Sequence, residues 1–488
     1  MPLILGTNSI KDTTFNVANS CRFDGSSAYM HKTPSSEGDK QKFTFSTWVK
    51  RSLLGITTAV DQHLISADAG NTETYIFFLA NSGSGADAAN TDCLSVYSTD
   101  ANGDIEMSLR TTALYRDPSA WMHVCVAIDT TQGTDTNRVK IYVNGSQISS
   151  FSLATYPAQN ENLAICDDVI HEIARRPAGT TKYFNGYLAE TVLIDGQQLA
   201  PTSFGEFDSD SPTIWKPIDV SGLTAGTNGF YLDYEDSGNL GNDVFGGTDL
   251  TEVNLAATDQ SLDTCTNNFA VMNPLDNFYS ANTFSEGNTK IVTPTASSTF
   301  NTATFGLSSG KWYWEVNYSA KSNTNAAMIG ISEVPTVSAS VILGYSSNYK
   351  NVGYLASNGN TYITGNGGSS YGNTYDAGNV IGVYLDLDNN KLYFSKNGTL
   401  QNSGTGVSIT APASTGTGVY FPALGDGGTP TTTSLTFLLN FGSPAYAISS
   451  SNTDDNGYGN FEYSPNITGD GAAKKFYTIN TKNLAEFG

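Results

Sequence analysis

Alternation of apolar and polar residues with a period of two runs through this chain and commits it to sheet. In "VIGVYLDLDNNKLYFSKNGT", residues 380–399, Ile381, Val383 and Leu385 fall on one face of an extended segment, and Leu392 and Phe394 repeat the pattern on the return. Between them Asp388, Asn389 and Asn390 tolerate left-handed backbone angles and bond nearby amides, which suits a tight hairpin turn. Asn397-Gly398 marks a second turn. A calcium loop starting at Asp386 would need Gly at its sixth position and Glu at its twelfth. Lys391 and Asn397 stand there, and a lysine would repel the cation. The segment therefore reads as two strands around an exposed turn, with no metal.

The same pattern recurs from about 17 to 205. "KFTFSTWVKR" sets Phe43, Phe45 and Thr47 against Thr44, Ser46 and Trp48. "ETYIFFLAN", "CLSVYST", "MHVCVAIDTT" and "RVKIYVNGSQI" follow, each bounded by Gly, Asn or Asp, and Asn144-Gly145 is a hairpin turn. No stretch sustains a 3.6-residue apolar period over several turns. The chain, at 488 residues, is too long for one core. Regular short strands over that length predict an all-β protein of two antiparallel β-sandwiches.

Charge narrows the partners. The net charge is −22, and all seven arginines lie at or before Arg176. Binding to nucleic acid or to anionic lipid needs clustered cations, so both are disfavoured. Arg175, Arg176 and Lys182 form the one compact basic group after the hairpin at Asn144, a candidate to meet an acidic surface of a neighbouring copy. Residues 206–280 hold thirteen acids and one base, Lys216, and read as an acidic connector built on a short strand pair. Five widely spaced cysteines (Cys21, Cys93, Cys125, Cys166, Cys265) show neither a disulfide framework nor zinc spacing. No signal peptide and no apolar run of membrane-spanning length is visible, so folding in a reducing cytoplasm and no membrane insertion are expected.

The order of "CRFDGSSAYM", "FTFSTWVKR", "WMHVCVAIDTTQ", "NRVKIYVNG" and "YFNGYLAETVLIDGQQLAPTSFGEF" resembles the laminin-G/concanavalin-like jelly-roll domains of tailed-phage virion proteins. From 281, "GKWYWEVNYS", "MIGISE", "VGYLASNGNTY", the hairpin above, "VYFPALG" and "FLLNFGSPAY" occur in the order that resembles a SPRY domain. The resulting division is an N-terminal segment 1–16, a concanavalin-like sandwich 17–205, the acidic connector 206–280, a SPRY-like sandwich 281–447 and a C-terminal segment 448–488. The C-terminal "GYGNFEYS" and "FYTINTKNLAEFG" resemble an ending of phage proteins that carry this domain.

Concanavalin-like sandwiches include glycoside hydrolases, which need two carboxylates on one cleft. No Glu-x-Asp-x-Glu strand occurs, Glu172 and Glu190 stand as lone acids, and His31, His63, His123 and His171 are scattered. His123, on a strand between Met122 and Val124, reads as a structural histidine. No catalytic residue, cofactor or metal is expected. Binding remains, and the candidates are Tyr349, Tyr354, Tyr362, Tyr371 and Tyr375, interleaved with Asn and Gly in the SPRY-like half. They form either a ligand surface of aromatic faces or part of the packing. The resemblance implies a structural virion protein assembled in the host cytoplasm: a tail fibre, spike or adhesin subunit that binds a host-surface glycan or protein. It also implies contact with other virion proteins and a homo-oligomer, by family analogy a trimer. The alternatives are a decoration protein that binds other virion subunits and a glycan-degrading enzyme.

Overall fold

Both halves of the chain build antiparallel sheets in which the side chains of alternate residues meet across a shared core. The computed structural model describes residues 15–55, 60–80, 90–177, 182–276, 282–295, 299–335, 342–427 and 433–488. These fall into two units, one running to Thr266 and one spanning Asn267–Gly488. The protein is nearly all-β; its α-helices among the described residues are Asp135–Arg138 and Thr481–Phe487.

In the first unit, one sheet runs in spatial order Ser146–Gln147, Val139–Val143, Met122–Asp129, Lys42–Arg51, Asn185–Asp195, Ser20–Asp24 and Gln260–Ser261, with Phe230–Leu232 also paired to Asn185–Asp195. The second runs Phe151–Thr155, Ile105–Leu114, Cys93–Thr99, Glu73–Phe78, Gln62–Asp68, Ile170–Ile173, Tyr29–Lys32 and Thr251–Val253. Phe43, Phe45 and Val49 of the first sheet share a core with Ile76, Phe78, Leu94 and Val96 of the second. That is the face the alternation assigns to them.

Strand Asn185–Asp195 is buried at every position, because the first sheet is covered on both sides. Cys125, Val192 and Ile194 point away from the core and lie under Phe204, Val220 and Tyr231. Trp48 and Ala189 pack with Trp215 and Val17. The segment read as an acidic connector thus divides. Its strand pair is Gly205–Phe207 with Trp215–Pro217, and everything up to Thr266 folds onto the first unit. Its aromatics, each worth roughly 1.5–3 kcal/mol when fully buried, hold it there. Of the N-terminal segment 1–16, only Phe15 and Asn16 belong to the described residues.

In the second unit a nine-stranded sheet faces a six-stranded one. The hairpin pairs Asn379–Asp386 with Lys391–Lys396 in the register Leu385↔Leu392 and Asp386↔Lys391, and Asn390 takes a left-handed φ of 55°. Asp388 and Asn389 are exposed as expected, but Asp386 is fully buried. Its carboxylate accepts the Asn389 backbone N–H at 3.1 Å and the Lys474 ammonium at 3.0 Å. The C-terminal segment completes this unit: Phe461 and Phe476 pack with Tyr313, Tyr384 and Tyr393, and Tyr477–Thr478 adds a parallel pairing to Lys311–Lys321.

Candidate functional site

The five candidate tyrosines do not form a surface. Tyr354, Tyr371 and Tyr375 belong to the main core of the second unit, and Tyr349 and Tyr362 to a smaller cluster with Phe300, Met328 and Leu343. None is more than 9% exposed. Tyr354 and Tyr362 sit on strands, Asn351–Leu355 and Asn360–Ile363, and the rings of Tyr354 and Tyr375 lie 5.0 Å apart. The Tyr375 hydroxyl donates to the Tyr354 carbonyl at 2.7 Å, and Tyr371 accepts from the Phe394 amide at 3.3 Å. Rings so placed cannot stack on a ligand without unfolding the sandwich. The exposed aromatic of this region is Tyr345, 45% exposed and stacked on Tyr362 at 4.5 Å, a residue the sequence reading passed over.

A more complete arrangement lies on the outer face of the second sheet of the first unit. Register sets His31 opposite Thr251 and Glu172, Glu172 opposite Ser66, Ser66 opposite Tyr75, and Tyr75 opposite Tyr97. Directly opposed residues share a face, so these side chains form one row across the sheet. Tyr29 lies two residues before His31, and Asp68 two residues after Ser66, on that same face. Beyond the strand, Ala174 takes a φ of 67° and an isolated bridge pairs Arg175 with Tyr183. The Arg175 guanidinium comes to lie 4.4 Å from the Tyr29 ring centre and 5.5 Å from that of Tyr183.

Below it, Glu172 is 2% exposed. One carboxylate oxygen accepts from Arg175 at 3.3 Å, while the other, Oε2, and Arg175 Nε lack a hydrogen-bond partner. Burial pushes the Glu172 carboxyl up to about 7; Arg175 opposes that rise and Asp68 adds to it. Near neutral pH this group both donates and accepts. A half-buried guanidinium between tyrosines can bind a polyhydroxylated ligand, rings against C–H faces and the guanidinium against hydroxyls, while buried Glu172 beneath holds the guanidinium in place. Glu172 is therefore not a lone acid. The basic residues expected to form one group at 175–182 each pair within the chain, Arg175 with Glu172 through one nitrogen, Arg176 with Glu73 at 2.9 Å and Lys182 with Asp61 at 2.6 Å.

The remaining sequence candidates read as structure. His123 Nδ1 accepts the Trp215 indole N–H at 3.1 Å, which leaves Nε2 to donate to Ser46 at 2.8 Å. Burial holds its pKa down to about 3, so the ring is a neutral, fixed strut. Glu190 sits on a bulge of Asn185–Asp195 with φ 48° and accepts from the Tyr231 hydroxyl at 2.6 Å; burial raises its carboxyl to about 8. Glu37, Asp167 and Asp168 come within ligand distance of one another, but the Lys40 ammonium lies 3.2 Å from Glu37 and 3.4 Å from Asp167 and offsets part of their charge.

Residues 24–198 match the model of the concanavalin A-like lectin/glucanases superfamily, and residues 311–437 match that of the SPRY domain. Among solved structures the chain is similar to a native heptameric SAP-like pentraxin from Limulus polyphemus, at 13% identity over 38% of this chain and 80% of that one, with a TM-score of 0.27. It is also similar to a human SPRY domain, at 20% identity over 31% and 91%, TM-score 0.23. A third similarity is to domain 4 of AbnA, a GH43 extracellular arabinanase from Geobacillus stearothermophilus solved with arabinotriose, at 16% identity over 40% and 82%, TM-score 0.26. No curated protein sequence matches the chain.

Proposed function

We propose that this chain is a non-enzymatic glycan-binding protein, an attachment subunit of a tailed-phage virion that holds host-surface saccharide on the outer face of its concanavalin-like unit. The observation that carries the reading is the Arg175 guanidinium between Tyr29 and Tyr183, held from below by Glu172 at 3.3 Å. A lectin-like domain and a SPRY domain in one chain both favour binding over catalysis. The virion assignment rests on the resemblance of the domain order and the chain ending to phage proteins. The test is retention of the purified chain on immobilised capsule or lipopolysaccharide. The parent should be retained without releasing reducing ends, and Arg175→Ala should be lost from the matrix. Release of reducing ends that stops in Glu172→Gln would replace binding with glycoside hydrolysis. Localising the chain in intact particles tests the virion reading.

A further inference from the structure

The hairpin of Asn379–Asp386 and Lys391–Lys396 has a second use. At its turn the second unit holds a cleft of 510 Å³, lined among others by Lys311, Lys474, Lys475, Asp388, Tyr477 and Phe487. That volume is in the range of small-ligand sites. Residues 267–488 contain nine lysines and no arginine, so a third of their cations converge here. Lys474 is anchored on buried Asp386, and Lys311 on Asp388, which fixes both ammoniums while each keeps N–H donors to spare. Lys475 is 67% exposed and bridges Asp455, an exposed pair that contributes little and is easily exchanged. Tyr477 and Phe487 stack at 3.8 Å and 17° to make one wall.

We infer that this cleft binds a carboxylated saccharide, a uronate unit of an acidic polysaccharide. Each ammonium is paired with a carboxylate, so the cleft has no surplus negative charge to hold a metal ion. Nucleic acid, which is held through many phosphate contacts, needs more cations than these three lysines. One sugar carboxylate matches Lys475 once it leaves Asp455. Hydroxyls match Lys311, Lys474 and the accepting Asp388, and the ring's C–H face matches the aromatic wall. The cleft belongs to the second unit, and its binding does not depend on Arg175.

Calorimetry on the full chain with trigalacturonate and with uncharged galactotriose tests this. Trigalacturonate should bind saturably and galactotriose at least about tenfold more weakly. Lys475→Glu, a surface change that should keep the parent melting temperature, should weaken trigalacturonate by about tenfold or more. Tyr477→Ala should do the same if it folds. Equal binding of the two sugars, no saturable binding, or full affinity in Lys475→Glu each overturns the inference.

Discussion

Tyrosines serve opposite ends in the two units. In the SPRY-like unit Tyr354, Tyr371 and Tyr375 turn inward, pack edge-on or tilted against one another and Phe394, and bond backbone groups. In the concanavalin-like unit Tyr29 and Tyr183 remain half-buried on a sheet face and hold a guanidinium between them. The buried carboxylates differ in the same sense. Glu315 accepts four hydrogen bonds, from Tyr313, Asn440 and the amides of Glu462 and Tyr463, and ties the C-terminal segment to the sheet. Glu172 has one partner and an unused oxygen. Glu315 thus holds strands and the C-terminal segment together, whereas Glu172 secures only the Arg175 guanidinium.

The comparison breaks most easily at Tyr375, which is 1% exposed. Tyr375→Ala should cost about 3–5 kcal/mol in urea unfolding, as for other large buried rings. A loss under about 1 kcal/mol would return the ring to the surface and reopen the loop reading. Next comes Glu315→Ala, which strands four donors and should cost about 3 kcal/mol, read as a lowered urea midpoint. The same measurement on Glu172→Ala should give far less, since one bond is lost.

Those two residues also show what the sequence could and could not disclose. The sheets were legible because Phe43 and Phe45, or Ile381 and Val383, advertise a buried face by period alone. The landmarks around "KWYWEV" and "VKIYVNG" carried a resemblance to known domains, which period alone does not give. The covering of the first sheet by residues up to Thr266 was hidden, because a second buried face on Asn185–Asp195 merely lengthens an apolar run. The tyrosine loops misled because Asn and Gly around an aromatic describe a turn equally well whether the ring points in or out. The Arg175 face was out of reach. It joins residues 29, 172 and 183 through sheet register, and local pattern does not reveal which strands are neighbours.

A smaller effect separates the carboxyls by pH. Folding raises Glu172 to about 7 and Glu190 to about 8, above the ordinary 4.5. The folded state therefore holds more protons between those values, and this contribution to stability is full below about 4.5 and lost as pH rises to about 8. The double variant Glu172→Gln, Glu190→Gln should flatten that fall and be more stable than the parent at high pH by about 1–3 kcal/mol. Parallel pH profiles for the two proteins would mean that neither carboxyl holds its proton on folding.

The smallest expected change in stability is the one that decides between the two surfaces. Tyr345→Ala removes the exposed ring stacked on Tyr362 and should alter stability by less than about 0.5 kcal/mol, the range of ordinary surface substitutions. Tyr29→Ala should cost little more, since its ring is half-buried and its hydroxyl holds no strand together. Their effects on retention by host glycan should diverge. If the sheet face is the contact, Tyr29→Ala loses about 1–3 kcal/mol of binding, as for a central aromatic anchor, while Tyr345→Ala elutes with the parent. The reverse pattern would move recognition to the SPRY-like loops and leave the Arg175 cluster a structural strut. Both substitutions leave the fold intact, so a change in retention reports contact and not unfolding.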